Sequence, residues 1–270
     1  MPKRLIAAAF ALMLVFPAFS RAAVPLSLDY AVYAGGFKAM NAQLAMDLEK
    51  KSYDMKLTAE TEGFIGKIFP WKATLNTNGH MKGASPVPYV YTERSTWKSG
   101  VKVTEVRYSP QGKVLKTTIR SEGKTVTARD IDDMLARNTV DLLTGALVML
   151  QTVKTKGKCA GQFPIFDGRR RYNITLADDG REKVKASKYS AFEGDALRCI
   201  LRVEPVAGFK KKDERRGWMA VQNHTEARHK PPTIWLSPLG KGRMMAPVRM
   251  EIASEYGSVV AHLVGGFGKL

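Results

Sequence analysis

The stretch VDLLTGALVMLQTV, residues 140–153, interrupts a chain otherwise patterned as strands. Its apolar residues fall at Val140, Leu143, Leu147, Leu150 and Val153, which is helical spacing. Asn138 or Thr139 offers the N-cap, and Asp141 then falls in the first turn, where its charge complements the helix dipole. Leu142, Ala146 and Met149 widen the apolar stripe beyond one face. A helix so apolar predicts enclosure rather than a seat on the surface. In a chain of strands, the natural enclosure is the concave side of a curved sheet.

The flanking sequence supplies that sheet. Leu26, Leu28, Tyr30, Val32 and Ala34 alternate with other residues up to Gly35-Gly36, and residues 37–49 and 53–62 continue the style. Trp71, Ala73, Leu75 and Thr77 alternate before Asn78-Gly79, read as a turn. Residues 89–97, 101–108 and 114–120 follow, parted by Ser99-Gly100 and by Ser109-Pro110-Gln111-Gly112, and the last ends at Ser121-Glu122-Gly123. Beyond the helix, 162–166 and 169–176 flank Asp167-Gly168 as a hairpin with a type I′ turn. Asp178-Asp179-Gly180 is read as a further turn, leading to strands at 184–190 and 197–204. Strands at 234–237, 248–253 and 258–264 close the chain. Turns at roughly 8–12-residue spacing between period-2 segments predict an antiparallel meander with one wet face. The expected fold is all-β with one buried helix: a long, strongly curved antiparallel sheet, a half-barrel or β-spiral, wrapping that helix. With no low-complexity linker and no repeat, residues 23–270 are expected to form one domain.

The N-terminus reads as an address. Lys3 and Arg4 precede an uncharged apolar run at residues 5–19, and Ser20-Arg21-Ala22 places small residues where a signal peptidase cleaves. Pro17 and the shortness of the run argue against a spanning helix, which needs roughly 20 apolar residues. Residues 1–22 are therefore expected to be a cleaved signal peptide and the mature protein periplasmic, with no transmembrane segment.

The formal charge is +18, and loss of Lys3, Arg4 and Arg21 with the leader leaves about +15. Export removes nucleic acid as the natural partner and leaves lipid, anionic envelope polymers or another envelope protein. Cys159 and Cys199 are an even pair, read most simply as a disulfide in an oxidising compartment. Two buried thiols are the rival reading, and a zinc site is weaker because neither cysteine has a second one nearby.

Candidate chemistry is sparse. His224, Glu226 and His229 form H-x-E-x-x-H, but a zinc-protease helix needs its histidines four apart, and here they are five apart. Asp130, Asp132 and Asp133 are explained by polarity at a helix entry, without calcium or acid–base work. No G-x-S-x-G elbow and no phosphate-cradling glycine loop occurs. No metal or cofactor is expected. Two basic runs remain as candidate anion-binding sites: Arg169, Arg170 and Arg171, and Lys210, Lys211 and Lys212 with the residues up to Arg216, followed by Trp218. Arg169 and Arg171 are read as sharing one face of a strand.

YAVYAGGFKAMNAQL (30–44), DLLTGALVML (141–150), IFDGRRRYNITL (165–176) and IWLSPLGKGRMMAPVRMEI (234–252) together resemble an exported bacterial family, number 3108 among the domains of unknown function. The resemblance spans nearly the whole mature chain. It implies a periplasmic β-rich protein and carries no catalytic residues. Similar exported β-proteins of alphaproteobacteria, envelope-integrity proteins and lipoprotein carriers among them, wrap a curved sheet around a helix. The expected function is non-catalytic support of the cell envelope, with an amphiphile or partner segment bound in the concavity. An envelope hydrolase and a scaffold for another envelope protein are the alternatives.

Overall fold

The computed structural model describes residues 26–129, 131–211, 230–240, 244–254 and 257–266. Residues 1–22, read above as a signal peptide, Asp130, Lys212 and the His224, Glu226, His229 cluster lie outside them.

Eight strands come first: β1 (Leu26–Ala34), β2 (Phe37–Leu48), β3 (Ser52–Thr61), β4 (Trp71–Lys82), β5 (Ser85–Trp97), β6 (Gly100–Tyr108), β7 (Val114–Ser121) and β8 (Lys124–Ala128). A short helix, α1 (Gly63–Ile68), links β3 to β4. After β8 come α2 (Asp133–Ala136) and α3 (Leu142–Lys156). Six strands follow: β9 (Ala160–Phe166), β10 (Arg171–Val184), β11 (Gly194–Ala207), β12 (Thr233–Leu239), β13 (Met244–Ser254) and β14 (Gly257–Gly265).

All fourteen belong to one antiparallel, unclosed sheet, in the order β8-β7-β6-β5-β4-β3-β2-β1-β14-β13-β12-β11-β10-β9. Two meanders, β1–β8 and β9–β14, are thus joined where β14 pairs with β1. The Tyr30 hydroxyl strengthens that seam by donating to the Pro247 carbonyl at 2.9 Å. Consecutive strands β8 and β9 stand at opposite ends of the strand order, and the chain between them includes α3, which packs against β4, β5, β9 and β13 inside the curl of the sheet. Val140 then bridges to β9: its N–H donates to the Pro164 carbonyl, and its carbonyl accepts the Phe166 N–H. That contact covers part of an otherwise open strand edge.

Two apolar clusters enclose α3. Leu143 and Leu147 join Leu28, Met46, Met55, Leu75, Tyr91 and Val106 of the first meander. Met149, Leu150 and Val153 join Phe163, Ile165, Ile174, Leu176, Ile234 and Leu236 of the second. Each such side chain stabilises by about 1.5–3 kcal/mol through burial. The predicted all-β fold around one buried helix is therefore the observed one.

Local readings are corrected where nonlocal contacts decide. Asp141, not Asn138 or Thr139, caps α3, because Val140 is committed to the bridge with β9 and the helix cannot begin earlier. Asn138 instead takes a left-handed backbone, φ +55°. Asn78-Gly79 is not a turn: β4 runs through it with a register shift and reverses near Gly83. A side chain at Gly79 would lie 2.2 Å from the Val87 carbonyl oxygen and 2.7 Å from the Tyr53 ring, so this glycine admits Tyr53 to the interior. Asp178-Asp179-Gly180 is likewise an irregularity within β10. Residues 185–193 are a loop with one internal bridge, Ser187 to Ser190, and no long strand. β8, exposed throughout, carries no alternation that could have announced it.

Cys159 and Cys199 form a disulfide with Cα atoms 5.5 Å apart. Cys159 immediately precedes β9 and Cys199 lies within β11, so the bond reaches across β10. The Asp178 carboxylate on β10 accepts the Cys159 N–H at 3.1 Å. Among the described residues, no helix is long and apolar enough to cross a membrane.

Candidate functional site

The entry to α3 holds a buried polar cluster. Asp141 accepts the Thr144 N–H at 2.9 Å on Oδ1, and the hydroxyls of Thr144 at 2.6 Å and Thr77 at 3.1 Å on Oδ2. The Tyr53 and Thr144 hydroxyls are 2.8 Å apart. Burial pushes the Asp141 carboxyl above its usual range, with the hydrogen bonds from Thr144 and Thr77 opposing that shift. Burial also pushes the phenols of Tyr53, Tyr91 and Tyr108 upward. Every oxygen of the Asp141, Thr144, Thr77 and Tyr53 set has a partner. A rim groove of about 480 Å³, lined by Pro86, Val87, Ile131 and Arg137 among others, stops at Val140, one residue short of Asp141. The cluster caps a helix and pins it to β3 and β4; it offers no reactive group.

The basic runs are brought together. Asp167 Oδ1 accepts the N–H groups of Arg169 at 3.0 Å and Arg170 at 2.7 Å, and its Oδ2 pairs with the Arg170 guanidinium at 2.7 Å. Arg170 also lies over the Phe209 ring, 5.3 Å from its centroid. Arg171 donates to the Met134 carbonyl at 3.0 Å. A side chain at Gly208 would meet the Arg169 carbonyl oxygen at 2.3 Å, so the segment leading to Lys210 and Lys211 crosses the arginine turn at backbone contact. Arg169 sits in the turn while Arg171 opens β10, which corrects the reading that they share a strand face. Arg170 and Arg171 are thereby engaged with the protein itself.

Asp132 caps α2 through the Met134 N–H at 2.8 Å, and Asp133 pairs with Arg137 at 2.8 Å. Among the described residues, no group of three or more His, Cys, Asp and Glu side chains gathers as a metal site.

The other face of the second meander is different. Ile234 and Leu236 pack with α3, so Trp235 between them points to the opposite face. Register places Arg198, Trp235, Arg249 and His262 side by side across β11, β12, β13 and β14. The Arg249 guanidinium stacks on Trp235 at 4.6 Å, and the Trp235 indole donates to Glu182 at 2.9 Å. Glu251 accepts from Arg249 at 2.7 Å, from Ser258 at 3.3 Å and from Lys230. Burial raises the Glu251 carboxyl, but the Lys230 and Arg249 charges outweigh it and hold the group below its usual range.

The 185–193 loop folds over this face and is anchored by the Ala191 N–H to the Leu263 carbonyl at 3.1 Å. Its Tyr189 meets Tyr33 edge-on at 4.9 Å and stacks with His262 at 6.3 Å. Tyr189 and His262 divide two adjoining cavities. The larger, about 540 Å³, is lined by Glu182, Lys183, Lys185, Ser190 and Arg249. The smaller, about 310 Å³, is lined by Tyr33, Gly35, Gly36, Ser258 and Val260. Three buried polar atoms of the larger cavity have no hydrogen-bond partner: Arg249 Nε, His262 Nδ1 and Ser190 Oγ. Burial, and then the nearby Arg249 charge, lower the His262 pKa, with Glu251 pulling the other way. Arg249 Nε, His262 Nδ1 and Ser190 Oγ thus lack partners among the residues lining one cavity, with Lys183 and Lys185 beside them, while the Arg249 Nη2 stays paired with Glu251. That donor set suits a phosphate or carboxylate. The second cavity suits the apolar remainder of such a ligand.

Sequence reading did not single out Arg249, His262, Ser190 or Tyr189. Between Val260 and Val264, His262 breaks an apolar alternation, which is a weak signal. Its neighbours come from three other segments.

The family model described as "Protein of unknown function (DUF3108)" matches residues 29–264. A solved structure, the beta-barrel-like protein of domain of unknown function DUF1849 from Brucella abortus, aligns over 89% of this chain and 96% of that chain, with TM-score 0.43 and 11% identity. Comparison with curated proteins gives no match.

Proposed function

The chain belongs to the DUF3108 family of proteins of unknown function, and from that premise we propose a non-catalytic, exported binding protein of the cell envelope whose ligand is an anionic amphiphile. The observation that carries the reading is the convergence of Arg249 Nε, His262 Nδ1 and Ser190 Oγ, all unpartnered, on a cavity adjoining one lined by Tyr33 and Val260. Buried polar atoms without partners are costly, and an anionic head that satisfies all three removes the cost on binding. The concave side, where the sequence reading put the ligand, is occupied by α3, so the site lies on the opposite face. The leader pattern at 1–22 and the disulfide support an oxidising, exported setting. Ser190 Oγ and His262 Nδ1 both lack partners, so they do not bond to each other, and the Ser–His pair of a nucleophilic serine hydrolase is not formed at this site.

Calorimetric titration with dodecyl phosphate and with dodecyltrimethylammonium, both below their micelle concentrations, tests the reading. The phosphate is expected to bind at least about tenfold tighter, and Arg249→Gln to abolish the difference. Equal binding of both heads, or a preference untouched by Arg249→Gln, overturns it.

A further inference from the structure

One rim of the first meander carries large apolar side chains with nothing to cover them. Phe37, Phe64, Ile68, Phe69 and Trp97 are between 47% and 76% exposed. They come from three connections at the same end of the sheet: the β1–β2 turn, α1, and the end of β5. Phe37 opens β2, and α1 is tied to that strand by the Glu62 N–H to the Ala39 carbonyl at 2.9 Å and by the Lys38–Glu62 pair at 2.8 Å. The Thr61 hydroxyl donates to the Phe69 carbonyl and accepts the Trp71 N–H, both at 2.9 Å, which holds the α1 connection in a fixed shape. Trp97 pairs with Trp71, ring centroids 5.7 Å apart.

Positive charge predominates around this apolar row, with Glu122 in the β7–β8 turn opposing it. Glu62 and Glu60 are neutralised by Lys38 and Lys72. Lys67, Lys98, Lys102 and Lys124 make no ion pair among the described residues. Lys67 is in the last turn of α1 and Lys98 follows Trp97, while register aligns Lys102 and Lys124 through Ser121 at the same end. Clustered aromatic side chains ringed by lysines match a bilayer interface, where rings enter the headgroup layer and lysines meet lipid phosphates. A second copy of the chain would set these lysines against their own kind.

We propose that this rim docks the protein on the surface of an anionic phospholipid bilayer. The apolar cavity lined by Gly35 and Gly36 lies next to Phe37, so docking would set its mouth beside the lipid. The rim stands on its own evidence and does not depend on the ligand reading.

Vesicle flotation tests the proposal on preparations sharing one sequenced N-terminus. Vesicles of phosphatidylcholine with about a third phosphatidylglycerol are expected to bind the protein, pure phosphatidylcholine vesicles to bind it weakly, and added salt to reduce binding. Phe64→Ser with Phe69→Ser should weaken partitioning at least about tenfold. Lys67→Glu with Lys98→Glu should erase the preference for the anionic lipid. Both side-chain pairs are at the surface, so melting curves matching the parent protein verify folding. The serine variant should still bind dodecyl phosphate as the parent does, which separates failure of the rim from failure of the ligand site. Absence of vesicle binding, or equal binding by the serine variant, overturns the proposal. So does sedimentation that shows self-association abolished by the serine changes with no lipid binding, which would make the rim an interface between copies.

Discussion

The curved sheet presents two faces with opposite polar arrangements. On the concave side, α3 covers it and the fully buried carboxylate of Asp141 has a donor for each oxygen. On the convex side the 185–193 loop covers it incompletely and leaves Arg249, His262 and Ser190 with unpartnered atoms around open volume. A satisfied buried network holds elements in place, whereas an unsatisfied one beside a cavity is prepared for a ligand. Burial alone would have pointed to Asp141, the more deeply enclosed group. Partner bookkeeping points instead to Arg249 and His262.

That contrast can be broken most forcefully at Leu147, buried on the concave side. Leu147→Ala should cost about 2–5 kcal/mol in urea unfolding, whereas Tyr189→Ser on the convex loop should cost under about 1 kcal/mol and still abolish amphiphile binding. Equal destabilisation would make the convex loop as structural as the helix. Next in size, replacing Cys159 and Cys199 together with serine should remove roughly 2–4 kcal/mol, because the bond closes a 40-residue separation.

Asp141→Ala should cost about 2 kcal/mol through the lost cap and stranded hydroxyls, with Asp141→Asn far milder. The carboxyl of Asp141 is raised in the folded state, so its stabilising contribution is full below the ordinary carboxylate range and declines as pH rises through the raised value. Comparing pH-dependent melting of the parent protein and Asp141→Asn isolates that decline; parallel curves would contradict it. The smallest stability effect belongs to His262, whose folded pKa is depressed by burial. Its contribution is present above the ordinary imidazole value and lost as pH falls through the folded one. An anion on the site favours the imidazolium, so dodecyl sulfate, whose charge is constant in this range, should bind more tightly as pH drops, with the His262 ring resonances in NMR titration moving to a higher pKa. A pH-independent affinity would remove His262 from the headgroup site.

The strands and α3 were legible because alternation and helical spacing are written in consecutive residues. Asn78-Gly79 misled because its glycine serves Tyr53, which arrives from a neighbouring strand and not from the local chain. Asp178-Asp179-Gly180 misled for a similar reason: Asp178 receives the Cys159 N–H and Asp179 pairs with Arg198, so the chain continues as a strand. The basic runs were visible as composition. Their engagement with Asp167, Phe209 and the Met134 carbonyl was not, since those partners come from other segments.

The sequence by itself determined an all-β chain with one helix apolar enough to need enclosure, together with a leader-like start and a pair of cysteines. Periodicity and composition suffice for these because each depends on near neighbours along the chain. Only the tertiary structure decided that β14 joins two meanders, that α3 fills the hollow, and that Arg249, His262, Ser190 and Tyr33 share one pair of cavities. Those positions lie on separate strands and a loop, and their meeting depends on register and on the fold of the 185–193 loop, which no local pattern encodes.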